Sequence, residues 1–65
     1  MWVIKITTSY TNGFTSISYF KGYFMGFLEF SNLENAKIFK TKKEAVYASQ
    51  VIRTGKSKSI EIEKW

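Results

Sequence analysis

Few side chains in this sequence could carry out catalysis. The chain contains no histidine, cysteine or aspartate, which excludes the usual nucleophile–base pairs and the metal sites built from these residues. Glu61 and Glu63 alternate along a predicted strand, and we expect both on its solvated side. The run TGKS at residues 54–57 lacks the upstream glycine of a phosphate-binding loop and follows a predicted helix. We therefore expect a non-enzymatic protein with no catalytic residue, no metal site and no cofactor.

The residues best suited to binding are aromatic and basic, and they are unevenly distributed. The stretch SYFKGYFMGFLEF, residues 18–30, holds six of the twelve aromatic residues. The formal net charge is +5, and residues 37–65 carry all of the surplus. A basic half beside an aromatic half favours an anionic partner, either a nucleic acid or an acidic protein surface. The alternative is that the lysines form a solvated surface that keeps the chain soluble.

Three strands are predicted in the first half of the chain. Residues 2–8, WVIKITT, alternate apolar and polar side chains with the period of a half-buried strand. The dipeptide Asn12-Gly13 is the strongest short signal for a two-residue hairpin turn, because both positions of a type I′ turn need positive φ. Residues 14–20 form the second predicted strand, the dipeptide Lys21-Gly22 the second turn, and residues 23–30 the third strand.

These two predicted turns determine which residues face each other across the strands. The first pairs Ile6 with Tyr19, and the second pairs Tyr19 with Phe24. One face of the sheet is then almost wholly apolar and forms the predicted core: Trp2, Ile4, Ile6, Ile17, Tyr19, Phe24, Leu28 and Phe30. The opposite face carries an aromatic cluster near the second turn, which we call the predicted outer patch: Phe20, Tyr23, Met25 and Phe27.

The second half of the chain predicts a helix between two extended segments. Residues 36–39, AKIF, form a short strand or an extended entry to the helix, and residues 58–65 alternate as the last strand. Thr41 and Glu44 form a capping box that begins the helix, and Gly55 follows its end. Its apolar stripe is Ala45, Ala48, Val51 and Ile52.

The predicted fold is α+β. It is a single domain spanning residues 1–65, with an antiparallel β-meander of about four to five strands and one α-helix packed on one face, in the order ββββαβ. One helix can cover only one face of a sheet, so the predicted outer patch has no covering element. The alternative is that the sheet coils enough to bury these side chains internally.

Three kinds of partner fit an uncovered aromatic patch near lysines. They are a second copy of the chain, which would make a homodimer, a different protein, and the stacked bases of a single-stranded nucleic acid. The predicted binding residues are the outer patch and the lysines around it: Phe20, Tyr23, Met25, Phe27, Lys5, Lys21, Lys37, Lys40, Lys42 and Lys43.

Part of the aromatic stretch resembles the RNP1 segment of the RNA-recognition motif. KGY at residues 21–23 and GFLEF at residues 26–30 supply the basic residue, the glycine and the alternating aromatics that stack bases in that family. Phe24 and Met25 interrupt the pattern, and the preceding residues form two predicted strands where that family has a strand and a helix. We do not assign the chain to that family, and we keep base stacking as an independent hypothesis.

A second pattern covers about half of the chain. It comprises WVIK at the start, the β-meander, and AKIFKTKKEA at residues 36–45, with heavy use of lysine, isoleucine, asparagine, tyrosine and phenylalanine. This pattern resembles small phage- or prophage-encoded proteins of AT-rich bacterial hosts. The resemblance implies a stoichiometric inhibitor of host machinery or of a defence system, which acts by binding. It implies no particular site.

These observations lead to one main prediction of function and two alternatives. The main prediction is a small, self-associating binding protein that inhibits or modulates a macromolecule of a bacterial host. The first alternative is a protein that binds single-stranded RNA or DNA, and the second, less favoured, is a structural subunit. The N-terminus lacks a charged lead, and the longest apolar stretch, residues 23–28, is far shorter than the ~20 residues of a membrane span. We therefore expect a cytoplasmic protein with no membrane partner.

Overall fold

Three strands, one helix and a last strand follow each other along the chain, one strand fewer before the helix than predicted. A computed structural model describes residues 1–52 and 58–65. The elements are β1 (Trp2–Ser9), β2 (Thr15–Phe24), β3 (Phe27–Ser31), a 3-10 turn (Leu33–Asn35), α1 (Lys42–Ser49) and β4 (Lys58–Lys64). The strands form one antiparallel sheet in the order β3-β2-β1-β4. The predicted α+β class with a meander-like sheet is confirmed. The predicted strand at residues 36–39 is reduced to a bridge between Trp2 and Phe39.

The first hairpin loop is one residue longer than predicted. The backbone N–H of Tyr10 donates to the carbonyl of Phe14 over 2.8 Å, which leaves residues 11–13 in the loop. Gly13 has a φ of 89°, and the Asn12 side chain accepts a hydrogen bond from the N–H of Phe14. This is the three-residue hairpin loop in which a type I turn is followed by a left-handed residue.

The extra loop residue reverses the faces of β2. Lys5 pairs with Tyr19, whereas the two-residue turn predicted that Ile6 would do so. The predicted register is therefore wrong by one residue, and the side chains of β2 up to Phe20 lie on the face opposite to the predicted one. Tyr19 consequently lies on the side of the sheet away from the helix.

The second turn also lies elsewhere than predicted. It consists of Met25 and Gly26, with φ values of 52° and 84°, between the paired residues Phe24 and Phe27. Two positive φ values define the two-residue type I′ turn. The predicted turn at Lys21-Gly22 is wrong, because β2 continues through this dipeptide with a β-bulge that shifts its register against β3.

Two substitutions in the Met25-Gly26 turn should change stability in opposite directions. A Cβ at Gly26 would meet no atom within 4 Å, so Gly26→Ala is penalised only by the left-handed backbone and should lower the free energy of unfolding by about 1–2 kcal/mol. Met25→Asn should raise it by about 0.5 kcal/mol, because asparagine tolerates positive φ better. Urea denaturation measures both effects. A Gly26→Ala variant as stable as the wild type would contradict this turn.

The core lies between the helix and one face of the sheet. Its buried residues are Ile4, Ile6, Phe20, Phe39, Ala45 and Ile52, with Trp2, Leu28, Ala48, Ile60 and Ile62 packed against them. Helix α1 contacts β1 and β4. The predicted core is therefore correct for Ile4 and Ile6 and wrong for Ile17 and Phe24, whose side chains are 54% and 62% exposed. Phe30 is on the helix side as predicted, but it is also exposed.

The predicted start of the helix is confirmed. The Thr41 hydroxyl accepts a hydrogen bond from the N–H of Glu44 over 3.2 Å, as an N-cap does. Ala45 is fully buried, so the helix sits close to the sheet. The apolar stripe is shorter than predicted, because Val51 lies beyond the end of the helix and is exposed. Gly55 and the TGKS run lie outside the described residues.

Candidate binding surface

The β2–β3 hairpin extends beyond the rest of the sheet. Near the base of this hairpin, β1 and β2 separate. The segment before helix α1 lies between them, with hydrogen bonds to both strands. The N–H of Lys37 donates to the carbonyl of Phe20, while Phe39 and Trp2 exchange two backbone hydrogen bonds, all of 2.8 Å. In the part of the chain that the structure describes, residues 21–29 form strand pairs only with each other. We call residues 21–29 the hairpin arm.

Four large apolar side chains are strongly exposed on the hairpin arm. The exposed fractions are 61% for Tyr23, 62% for Phe24, 82% for Met25 and 75% for Phe27. Phe24 and Phe27 are paired across the two strands on the face away from the helix, whereas Tyr23 pairs with Leu28 on the helix side. A two-stranded hairpin alone is marginally stable in water, and exposed apolar clusters usually mark interfaces. The hairpin arm is therefore the candidate binding surface.

Phe20 anchors the hairpin arm to the core and is not part of the exposed surface. It is 1% exposed, so its placement in the predicted outer patch is wrong. Its ring meets Tyr23 and Phe30 edge to face, with centroids 5.7 and 6.2 Å away, and stacks on Phe39 at 6.5 Å. Phe24, which the sequence pattern assigned to the core, takes the place of Phe20 on the surface. Gly26 suits the second position of a type I′ turn, which needs positive φ. This glycine is the sequence signal that could have predicted the Met25-Gly26 turn and, with it, the exposure of Phe24.

The sheet face away from the helix, which we call the open face, is not basic. The Nζ of Lys5 lies 3.1 Å from a carboxylate oxygen of Glu63, so this predicted binding lysine is already paired. Strand alternation places Glu29 and Glu61 on the same face. An anionic partner approaching the open face would therefore meet Glu29 beside the exposed ring of Phe27, and Glu61 and Glu63 at the opposite edge of the sheet.

The Lys5–Glu63 pair predicts a loss of stability at alkaline pH. The hydrogen bond and the charge of Glu63 raise the pKa of Lys5 above its usual range. The folded-state pKa of Lys5 exceeds its unfolded value of about 10.4. The ion pair therefore stabilises the fold fully below about pH 10.4, and this stabilisation is lost as the pH rises through the folded-state pKa. Thermal unfolding of the wild type and Glu63→Gln between about pH 8 and about pH 12 should give a Tm difference that disappears at the upper end. A constant difference would contradict the pairing.

The other predicted lysines lie at the end of the sheet from which the hairpin arm extends. Lys37 is hydrogen-bonded through its backbone to the base of the arm. Its ammonium group lies 5.8 Å from the ring centre of Phe39, and that of Lys42 lies 5.6 Å from the ring centre of Trp2. Both geometries are cation–π contacts. The exposed lysines in this region are Lys21, Lys37, Lys40, Lys42 and Lys43.

A cleft opens beside this lysine cluster, between helix α1 and the segment that precedes it. Its volume is about 480 Å³, and its lining residues are Lys37, Phe39, Lys43, Glu44, Tyr47 and Ala48. The sequence pattern did not identify Phe39 or Tyr47 as residues that line a cleft. No local signal could do so, because the cleft depends on how the helix sits against a segment with no regular secondary structure.

Comparisons with known proteins identify no family for this chain. No protein-family model matches the sequence, and no match was found among curated proteins or among solved structures. In residues 1–52 and 58–65, no helix is both long enough and apolar enough to span a membrane.

Proposed function

We propose that this chain is a non-enzymatic binding protein and that two copies associate through the hairpin arm. The observation that carries the proposal is the exposure of Tyr23, Phe24, Met25 and Phe27, each above 60%, on a hairpin that extends beyond the sheet. Such a surface gains free energy when another apolar surface covers it.

A second copy of the chain is the partner that the charges of the hairpin arm favour. Residues 21–29 contain one lysine, Lys21, and one glutamate, Glu29, and no other charge. Two arms related by a twofold axis therefore meet without net repulsion, and each presents the same apolar surface to the other. The Phe24–Phe27 pair on the open face supplies aromatic side chains of the type that dominate interface energies.

We further propose that the protein inhibits or modulates a macromolecule in the cytoplasm of a bacterial host. This role is the one implied by the resemblance to small phage- and prophage-encoded proteins. The exposed lysines beside the arm support it, because a basic surface attracts and orients an acidic partner.

Binding of single-stranded nucleic acid is the second candidate function. The observation in its favour is that Lys37, Lys40, Lys42 and Lys43 lie near the base of an aromatic hairpin. The open face argues against it, because Glu29 shares that face with Phe24 and Phe27. Labelled oligonucleotides titrated at several salt concentrations distinguish the two functions. A steep loss of affinity with salt would support nucleic-acid binding, and no binding at low salt would exclude it.

Sedimentation velocity tests the self-association directly. Between about 1 μM and about 1 mM, the weight-average sedimentation coefficient of the wild type should rise from the monomer value towards the dimer value. A coefficient that stays at the monomer value over this range would overturn the proposed dimer.

A further inference from the structure

We propose that the cleft beside helix α1 binds an acidic segment of another protein, with an apolar side chain of that segment on the cleft floor and its carboxylates on the flanking lysines. The site is separate from the hairpin arm, so it goes beyond the proposed self-association. Three features of the cleft carry the inference: its apolar interior, its size, and its unpaired positive charge.

The interior of the cleft is built from apolar surface that the core holds in place. Phe39 is 7% exposed, and its ring stacks on the buried ring of Phe20. Ala48 packs against the core from the helix, whereas Tyr47 beside it is 76% exposed. The floor is therefore rigid, and one large aromatic wall stands open to solvent. A partner's apolar side chain can cover both.

The size of the cleft suits a short peptide segment. Its volume of about 480 Å³ lies within the range of about 300–1,000 Å³ typical of sites that hold small ligands. One or two bulky side chains would fill this space.

The positive charge at the cleft has no partner within the described residues. The ion pair that these residues form is Lys5–Glu63, on the other side of the sheet, so Lys37 and Lys43 make none. Glu44 is the one carboxylate that lines the cleft. Because the Lys37 ammonium lies 5.8 Å from the Phe39 ring centre, a bound carboxylate would sit directly above the apolar floor. Charge complementarity thus selects an acidic partner with an apolar anchor.

Fluorescence anisotropy of a labelled peptide tests this site. The probe has two central leucines flanked by aspartates. One matched peptide replaces the leucines by serine, a second replaces the aspartates by asparagine, and an oligothymidylate serves as the nucleic-acid probe. We expect the wild-type protein to bind the acidic leucine peptide at least about tenfold more tightly than each of the other three. Equal binding of the serine peptide or of the asparagine peptide, tighter binding of the oligothymidylate, or no binding at all would overturn the proposal.

Protein variants locate the binding to the cleft. Tyr47→Ala and the double variant Lys37→Gln/Lys43→Gln should each weaken binding of the acidic leucine peptide by about tenfold, and the exposure of these side chains should leave the fold intact. Phe14→Ala, which removes a ring that is 70% exposed beside the loop at residues 11–13, should bind the peptide as the wild type does. Wild-type affinity in Tyr47→Ala, or loss of binding in Phe14→Ala, would overturn the proposal, and would do so whether or not the hairpin arm mediates dimers.

Discussion

Phe20→Ala should lower the free energy of unfolding by about 3–5 kcal/mol, the usual range for removing a buried phenylalanine ring. The ring is 1% exposed and contacts Tyr23, Phe30 and Phe39. Its loss would leave a cavity where the hairpin arm meets the core. A 65-residue domain has a total stability of only about 3–10 kcal/mol, so this single substitution should remove about a third or more of it. Circular dichroism during urea denaturation measures the change.

Two exposed phenylalanines provide matched controls for this loss of stability. Phe24→Ala and Phe27→Ala remove the same ring from side chains that are 62% and 75% exposed, and each should change the free energy of unfolding by less than about 0.5 kcal/mol in the monomer. Measurements at low protein concentration keep any dimer from contributing. If Phe24→Ala were as destabilising as Phe20→Ala, the assignment of these two residues to surface and core would be contradicted.

The double variant Phe24→Lys/Phe27→Lys should weaken self-association by about 100-fold or more. The two rings form a cross-strand pair on the open face of the hairpin arm, and buried aromatic residues near the centre of an interface contribute about 2–4 kcal/mol each when truncated. Lysine also brings like charges together across a twofold axis. Sedimentation velocity at concentrations where the wild type is dimeric should give the monomer value for this variant.

The single variants Phe27→Lys and Phe14→Lys form a matched pair, because each adds one positive charge, and only Phe27→Lys should weaken self-association. Phe14 is 70% exposed, close to the 75% of Phe27, but it lies beside the other hairpin loop at the opposite end of β2. As the control, Phe14→Lys adds a lysine in place of an exposed aromatic ring without changing the hairpin arm. The control should therefore dimerise as the wild type does. Equal dissociation in both variants would show that positive charge alone, and not the hairpin arm, controls association.

Local patterns were sufficient to predict the elements of the fold. The alternation in residues 2–8, the Thr41 cap and the alternation in residues 58–65 each depend on a few neighbouring side chains, and each is confirmed. The strand predicted at residues 36–39 forms only one bridge, because the segment fits between β1 and the separating β2 for a short distance. The residue pattern within this segment carries no information about the gap between the two strands.

The register of the hairpins could not be predicted from the turn dipeptides alone. Asn12-Gly13 is compatible with a two-residue and with a three-residue loop, and the choice between them reverses the side chains of β2 as far as the bulge after Phe20. The three-residue loop places Phe20 beside Ile4 and Ile6 in the core. The two-residue loop would have placed Tyr19 there. A buried tyrosine hydroxyl needs a hydrogen-bond partner, whereas a buried phenylalanine ring has no polar group to satisfy. This difference favours the observed register, which buries Phe20 and not Tyr19.

The candidate site was predicted in part. Exposure of Tyr23, Met25 and Phe27 is confirmed, and their role in binding stays a prediction. The predicted place of Tyr23 on the face away from the helix is wrong, because Tyr23 pairs with Leu28 on the helix side. Phe20 lies in the core because the first loop has three residues. Phe24 lies on the surface because a bulge in β2 and a turn at Met25-Gly26 replace the predicted turn at Lys21-Gly22. The cleft could not be predicted, since its residues converge only through the packing of the helix against the sheet.

Amide chemical shifts during dilution test most directly whether the hairpin arm joins two copies of this chain. In two-dimensional ¹H–¹⁵N NMR spectra recorded from about 1 mM to about 20 μM protein, the largest concentration-dependent shifts should fall on residues 23–28, with smaller shifts in β4 and in the loop at residues 11–13. Shifts concentrated along β4, Lys58–Lys64, would instead place the contact at the exposed edge of the sheet. That result, or spectra that do not change with concentration, would contradict association through the hairpin arm.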